Sequence, residues 1–483
     1  MSSEPSNSTS APAGPGALYR AVWRWHFYAG LLVAPFAIFL AITGAIYLWK
    51  PQYEAMRYRD LFTVPAGDVG FPTHPADHLL AAARAAAPAG LRAESYQPAF
   101  ARGGTARVVF KPAGASPHGG GLNVFVNPHT TAVTGQYHDY ETLMSTVKKL
   151  HGTLFAGNAG SYVVELAASW ALVLFLTGLY LAWPRPHFEA RGFLLPRLHA
   201  KGRIFWRDLH AVPAVWCAAG TIFMLTTGLL WSQGAGAWYR TISAALGQDT
   251  PRETSAAAHR SALTGWAPPL RAGLAEQIDQ LASAPPVDEH AGHGGHGGAT
   301  PAAAAFPDGP YDNAISLDRV LALAAEHRVP EPFAIALPVG PTGVFSAISD
   351  RSRPFVRTNF HLDQYSGRVL ADVRFKDLGI LAQFFSWGIV AHEGLLFGVA
   401  NQILGTVIAL GVVLLGISGL ALWWQRRPPG RLAAPVSTRR LPRPVLVGTL
   451  VLALMLPLLA ATLPIMFVLD RLFGRRLEKS GPA

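Results

Sequence analysis

Lys149-Leu150-His151-Gly152-Thr153-Leu154-Phe155-Ala156-Gly157 opens a pattern that returns at Ala391-His392-Glu393-Gly394-Leu395-Leu396-Phe397-Gly398. The match continues at one fixed offset. Gly178 lies as far beyond His151 as Gly419 lies beyond His392, and the same holds for Leu179 and Leu420, Leu181 and Leu422, Trp183 and Trp424, and Arg185 and Arg426. A register kept without a gap through a whole apolar helix implies an internal duplication. In each copy a histidine opens the unit and a Trp-then-Arg end closes it.

The surrounding chain sets where such a helix can lie. Of 483 residues half are hydrophobic and only 14% are charged, which indicates an integral membrane protein with sizeable polar regions. The net charge of +11 does not point to nucleic acid, because the basic residues gather beside apolar segments, as charges held on the cytoplasmic side do. The only cysteine is Cys217. That excludes an intramolecular disulfide, a Cys-rich zinc or iron–sulfur site, and covalent c-type haem attachment. A redox centre in this chain must rest on histidine, methionine or carboxylate.

The expected fold class is a mainly α membrane protein with duplicated transmembrane helix pairs: four core helices, a fifth near the C-terminus, and two external α+β domains. Residues 1–17 form a Ser/Pro/Ala/Gly-rich disordered tail. Residues 18–50 hold transmembrane helix 1, too long for a signal-peptide core, with Arg20 and Arg24 on its inner flank. Residues 51–145 form the first external domain, with a helix at His78–Ala87 and strands at Ala106–Lys111 and Leu122–Val126. The His151 segment and helix 2 occupy 146–184, and a basic cytoplasmic loop follows at 185–206. Helix 3 occupies 207–232. The second external domain spans 233–385, with a helix at Ser316–Arg328, strands at Gly343–Ile348 and Arg357–Leu362, and a His-rich low-complexity insert at 284–305. The His392 segment and helix 4 take 386–425, and a second basic loop takes 426–444. A fifth apolar helix at 445–470, interrupted by Pro457 and Pro464, precedes the tail at 471–483; a re-entrant or interfacial hairpin is the alternative there. The basic loops place the N-terminus in the cytoplasm and the large polar regions outside.

Four histidines fall at the membrane boundaries. His26 and His210 each precede a Thr-Gly pair at the same distance, Thr43-Gly44 and Thr227-Gly228, and both open outward-running helices near the inner surface. His151 and His392 precede inward-running helices near the outer surface. A lone histidine at a helix end is ordinarily an interfacial residue bonded to water. Four in two duplicated pairs, one pair at each face, instead suit bis-histidine ligation of two b-type haems. His26 with His210 forms the inner set and His151 with His392 the outer. A continuous helix from His151 to Arg185 would run about 50 Å at ~1.5 Å per residue, against a hydrocarbon core of ~30 Å. The chain is therefore expected to break at Gly157–Gly160, with His392 similarly placed before Gly398–Asn401.

Other candidates rank lower. His290, His293 and His296 can bind a transition metal weakly, though a flexible spacer is the simpler reading. His129, His138 and His361 read as surface residues and Cys217 as packing. The boundary tryptophans read as aromatic belts. No phosphate-binding glycine loop, dinucleotide fingerprint or Ser-His-Asp set is present.

On Trp25-His26 with Gly30 and Thr43-Gly44, Leu150 to Phe155, Arg207-Asp208-Leu209-His210 and His392-Glu393-Gly394, the chain resembles the PepSY-associated transmembrane proteins, also called iron-regulated membrane proteins. The turns at Asn127–Gly135 and Asp363–Gly367 resemble the ends of PepSY-type domains. The resemblance spans about residues 20 to 470. It implies a bacterial inner-membrane protein with two periplasmic PepSY domains, and its best-understood branch resembles ferric-siderophore reductases that use two b haems. The working expectation is thus an oxidoreductase that passes electrons across the bilayer to ferric iron in a siderophore or other periplasmic metal complex. The donor would be a separate protein or a quinol. The alternatives are a non-enzymatic envelope regulator and a metal or siderophore transporter.

Overall fold

The computed structural model describes residues 17–115, 119–184, 189–262, 314–349, 352–427, 443–465 and 468. His290, His293 and His296 lie outside the described residues. In chain order the helices are α1 (Ala17–Leu48), α2 (Lys50–Arg57), α3 (Arg59–Phe62), α4 (Ala76–Ala86), α5 (Leu143–Thr153), α6 (Gly157–Ala182), α7 (Arg203–Leu229), α8 (Gly234–Ala245), α9 (Leu317–Glu326), α10 (Ile380–His392), α11 (Val399–Arg426) and α12 (Arg443–Met455). The strands are β1 (Leu91–Gln97), β2 (Ala106–Pro112), β3 (Leu122–Val126), β4 (Val133–His138), β5 (Phe333–Ala336), β6 (Val344–Ser349), β7 (Thr358–Asp363) and β8 (Val369–Arg374). The chain divides into two units. One draws on Met1–Ile42, Tyr162–Leu229 and Val407–Ala483, the other on Thr43–Ser161 and Leu230–Thr406.

Among the described residues four helices, α1, α6, α7 and α11, are long and apolar enough to cross a membrane. A helix satisfies its own backbone, which is why such apolar runs fold this way in lipid. Within the first unit small residues set the closest helix contacts: a Cβ at Gly411 would lie 2.6 Å from the sulfur of Cys217, so that cysteine packs α7 against α11. The fifth apolar stretch does not form one long helix. It breaks at Leu456, ahead of Pro457, into α12 and a short helical piece at 457–465. Proline at 457 has no N–H to continue the ladder. The second piece is tied to α6 by the Trp170 indole N–H, which donates to Thr462 Oγ1 at 3.1 Å.

The expected break before the second span is present, a few residues earlier than the sequence suggests. Leu154, Phe155 and Gly157 all have positive φ, at 49°, 59° and 55°, and they end α5 and restart the chain as α6. Gly160 is required there because a Cβ would fall 1.7 Å from the carbonyl oxygen of Thr153. Gly394 and Gly398, at φ 74° and 58°, make the matching break between α10 and α11. His151 and His392 accordingly sit at the ends of separate short helices.

The polar regions revise the expectation of two separate α+β domains. Each contributes a helix and a four-stranded antiparallel meander, but the eight strands form one sheet in the order β4-β3-β2-β1-β5-β6-β7-β8. The two meanders join where Ser95 pairs with Ala336 and Tyr96 with Ile335. Joining β1 to β5 removes two exposed edges that would otherwise present unpaired backbone groups. One apolar core, with Leu79, Tyr96, Phe110, Val320, Ile335 and Phe360, runs continuously beneath α4 and α9. On the other face Tyr58 stacks on Tyr137 at 4.7 Å and Phe62 meets Phe125 at 5.2 Å, which seats α2 and α3 on the first meander.

The helices of the two halves also cap each other. Asp318 of α9 accepts the Ala76 N–H of α4 at 3.0 Å, and Asp77 of α4 accepts the Leu317 N–H of α9, also at 3.0 Å. Each carboxylate thus satisfies an orphan donor at the partner helix's N-terminus and opposes its dipole. Replacing Asp77 and Asp318 together with Ala is expected to cost about 1 kcal/mol per lost cap. A lowered thermal midpoint and faster proteolysis between the meanders would show this; an unchanged midpoint would mean that the halves do not depend on the exchange.

Candidate functional site

Within the first unit, His26 and His210 are brought together by two repeats of one local device. His26 Nδ1 lies 2.9 Å from Thr177 Oγ1 on α6. The Thr177 hydroxyl donates to the Val173 carbonyl at 2.7 Å, so its oxygen is left to accept, and the His26 Nδ1–H donates to it. The next residue is Gly178, where a Cβ would stand 3.2 Å from His26 Cε1; glycine lets the ring edge approach the helix backbone. His210 repeats this on α11. Its Nδ1 lies 3.0 Å from the Leu415 carbonyl and 3.2 Å from Ser418 Oγ, and a Cβ at Gly419 would stand 3.2 Å from its Cε1. A carbonyl can only accept, which assigns the proton of His210 to Nδ1.

Both rings therefore carry their hydrogen on Nδ1 and keep the Nε2 lone pair, the form in which imidazole ligates a metal. Their centroids are 6.4 Å apart and their planes are at 82°. A metal gripped from opposite sides through bonds of about 2 Å sets two imidazole centres roughly 6 Å apart. The separation and the tautomers are those of two imidazoles that could hold one metal ion between them.

Asp208, two residues before His210, fixes the start of α7. It is 1% exposed and accepts from Arg197 N, Nε and Nη2 at 3.1, 2.7 and 2.9 Å, and from Arg207 Nε at 3.1 Å. A buried carboxylate needs such pairing to stay charged. Glu165 on α6, also 1% exposed, places an acid within an apolar span.

In the second unit His151 closes α5, and its Nδ1 lies 3.0 Å from Thr43 Oγ1. A Cβ at Gly44 would stand 3.1 Å from His151 Cε1. This is the same Thr-Gly seat, with the roles exchanged: α1 sends His26 to the pair on α6 and receives His151 on its own pair. His392 closes α10 and lies edge-on to Trp231, with ring centroids 5.3 Å apart at 77°. The structure thus brings the inner pair into ring contact, seats His151 on Thr43 and sets His392 against Trp231. Near the start of α11, the Trp49 indole N–H donates to Thr406 Oγ1 at 3.1 Å and Gln52 Nε2 donates to Gln402 Oε1 at 2.7 Å. On α2, burial pushes the Glu54 carboxyl above its usual range; Lys50, 3.8 Å away, opposes this and Asp139 adds to it.

The three seats were visible in the sequence as the hydroxyl-Gly dipeptides Thr43-Gly44, Thr177-Gly178 and Ser418-Gly419, and the remaining span carries a matching dipeptide, Thr227-Gly228. Their role was not, because nothing local says which histidine reaches which pair. His361 is a correction. It is 1% exposed, not on the surface, with Nδ1 2.7 Å from Ser346 Oγ and Nε2 3.0 Å from the Thr254 carbonyl. Ser346 and His361 face each other on paired strands, on the side opposite the apolar core, and the segment around Thr254 covers them. With both ring nitrogens engaged, this is a structural contact and no catalytic dyad. Among the described residues no group of three or more His, Cys, Asp or Glu side chains could hold a metal ion.

Fold and site together define a membrane protein that has, among the described residues, four helices long and apolar enough to cross a bilayer, with buried, oriented imidazoles between them. The family model for the PepSY-associated TM region matches residues 23–426, and the chain belongs to that family. No curated protein matches it.

Removing the Thr177 acceptor tests the seat. Thr177→Val leaves the His26 Nδ1–H without its partner and is expected to cost about 1–3 kcal/mol, with Thr177→Ser restoring most of it. Thermal unfolding of the purified protein in detergent reads this. Equal midpoints for Val and wild type would show that the hydroxyl does not hold the ring.

Proposed function

We propose that this protein is a haem-b electron-transfer protein of the bacterial inner membrane that reduces ferric iron on the periplasmic side. The observation that carries the reading is the inner pair: two imidazoles at 6.4 Å, each with Nδ1 committed to an acceptor on a neighbouring helix. His26 and His210 would hold one haem, and His151 and His392 a second. Such a haem supplies a one-electron carrier whose iron cycles between ferric and ferrous states. The chain's own part is to hold Nε2 unprotonated, to orient the rings and to keep water from them with apolar helices. The hydrogen bonds at Nδ1 make each imidazole a stronger donor, and the rigid seats limit reorganisation when charge arrives.

The substrate side of the proposal rests on the family. Ferric iron in a siderophore takes one electron to become ferrous, which hard oxygen ligands hold far less tightly. The donor is a cytoplasmic-side protein or a membrane quinol. Transport fits less well. The hydroxyls of Thr177, Thr226, Thr227 and Ser418 all donate to carbonyls of their own helices, which commits them to the histidine seats and the helix backbone, not to a polar path.

Protein purified after haem-replete expression is expected to show a Soret band and two haems per chain. His210→Ala and His392→Ala should each remove one, leaving different residual spectra. Wild-type protein without a Soret band would sink the proposal and favour an envelope regulator with structural histidines.

A further inference from the structure

The segment between α6 and α7 is basic, as a loop in water would be, yet its middle is built for an apolar medium. Residues 190–198 wrap into a tight turn against α7. The Ala190 carbonyl accepts the N–H groups of Phe193, Leu194 and Leu195 at 3.3, 2.8 and 3.0 Å, and the Gly192 N–H donates to the Leu195 carbonyl at 2.7 Å. Pro196 has no N–H, and that of Arg197 donates to Asp208 Oδ2 at 3.1 Å. Every backbone donor from Gly192 to Arg197 is thus satisfied within the protein. A loop in water has no need of this, because solvent serves its N–H groups. Irregular backbone beside lipid must meet the requirement in full.

Two contacts set how far the turn reaches. The Arg197 Nε–H donates to Asp208 near the start of α7 at 2.7 Å, and the Trp216 indole N–H donates to the Leu194 carbonyl at 2.9 Å. Trp216 follows Asp208 by eight residues, about 12 Å at ~1.5 Å per residue, and stands midway along this helix. Its side chain leans back toward the N-terminus, so the turn climbs from Asp208 part of the way to mid-span. At about 100° per residue Asp208 and Trp216 lie roughly 80° apart on the helix, and His210 is turned well away from both. The turn therefore packs on the side of α7 remote from the inner imidazole pair. Trp183, just beyond α6, meets Phe193 edge-on at 5.8 Å and holds the turn from that end.

The outward surface of this arrangement is apolar. Leu195, Leu198 and Trp216 are 57%, 63% and 68% exposed. Arg197 faces inward to Asp208, while Arg191 and Lys201 are exposed at the edges, with stems long enough to carry their charges to headgroups. Saturated backbone, apolar exposed side chains and a position alongside a spanning helix together match lipid hydrocarbon.

We propose that residues 190–198 form a wedge seated in the leaflet at the Arg203 end of α7, with lipid acyl chains packed on Leu195, Leu198 and Trp216. Because Arg197 holds Asp208, two residues ahead of His210, the wedge also ties the depth of the inner pair to that leaflet. None of this depends on what the imidazoles bind.

The test uses full-length protein carrying Cys217→Ala, reconstituted in phosphatidylcholine vesicles. A nitroxide label is attached at Leu195→Cys, with Leu410→Cys on the exposed face of α11 as the lipid reference and Gln136→Cys on β4 as the water reference. Power saturation of the EPR signal compares collisions with oxygen, which concentrates in lipid, and with a water-soluble nickel chelate. The expected oxygen-to-nickel ratio at Leu195 is several-fold above that at Gln136 and close to that at Leu410. A ratio equal to that at Gln136 overturns the proposal, because the turn then stands in water. Rare collisions with both reagents overturn it too, because a second copy or another part of the chain then covers the face. If the Cys217→Ala chain does not fold, a benzophenone side chain in place of Leu195, in protein that keeps Cys217, decides. Photo-cross-linking to phospholipid supports the wedge, and cross-linking to a second copy, or none to lipid, overturns it.

Discussion

A buried imidazole presents one nitrogen to a metal only if the other has an acceptor for its proton. In this protein that acceptor is a helix hydroxyl or carbonyl next to a glycine. Thr177 and Gly178 hold His26, Ser418 with the Leu415 carbonyl and Gly419 hold His210, and Thr43 and Gly44 hold His151. Each seat needs both parts. The acceptor alone would be out of reach if a methyl group stood between ring and helix, and the glycine alone would leave an N–H unpaired in an apolar span. Much of the helix packing follows from this pairing, since the seats of His26 and His210 each draw two spans to within side-chain contact and that of His151 draws α5 onto α1.

The device recurs where the sequence repeats itself at one fixed offset, and the two copies are not identical. His151 and His392 occupy equivalent places in the repeat; His151 rests on Thr43, and His392 lies against Trp231. Glu165 on α6 matches Thr406 on α11, which is neutral and hydrogen-bonded to Trp49. In the polar unit the same duplication ends in fusion. Two meanders close their edges on one another, and Asp77 and Asp318 exchange caps across the seam. The two meanders are held as one sheet by interactions that exist only between them.

How legible this was depends on the range of the interaction. The spans, the breaks before them and the central strands were readable, because apolar length, glycine placement and strand alternation are properties of consecutive residues. The strands that were missed are Leu91–Gln97 and Phe333–Ala336, the two that form the seam. The first carries Arg92, Glu94 and Gln97 and the second is only four residues long, so neither announces itself without its partner. His361 was misplaced for a related reason. Its burial comes from the Thr254 segment, more than a hundred residues away.

The sequence by itself determined that the chain is a membrane protein, and that four histidines recur in register with its apolar segments. It also displayed the hydroxyl-Gly dipeptides, since composition and register need no third dimension. Only the tertiary structure decided which dipeptide seats which histidine, which ring nitrogen keeps its lone pair, that His26 and His210 meet at 6.4 Å, and that the two meanders share one core. These are contacts between residues as far as two hundred positions apart. Their geometry is set by how helices and strands pack, and no local pattern encodes it.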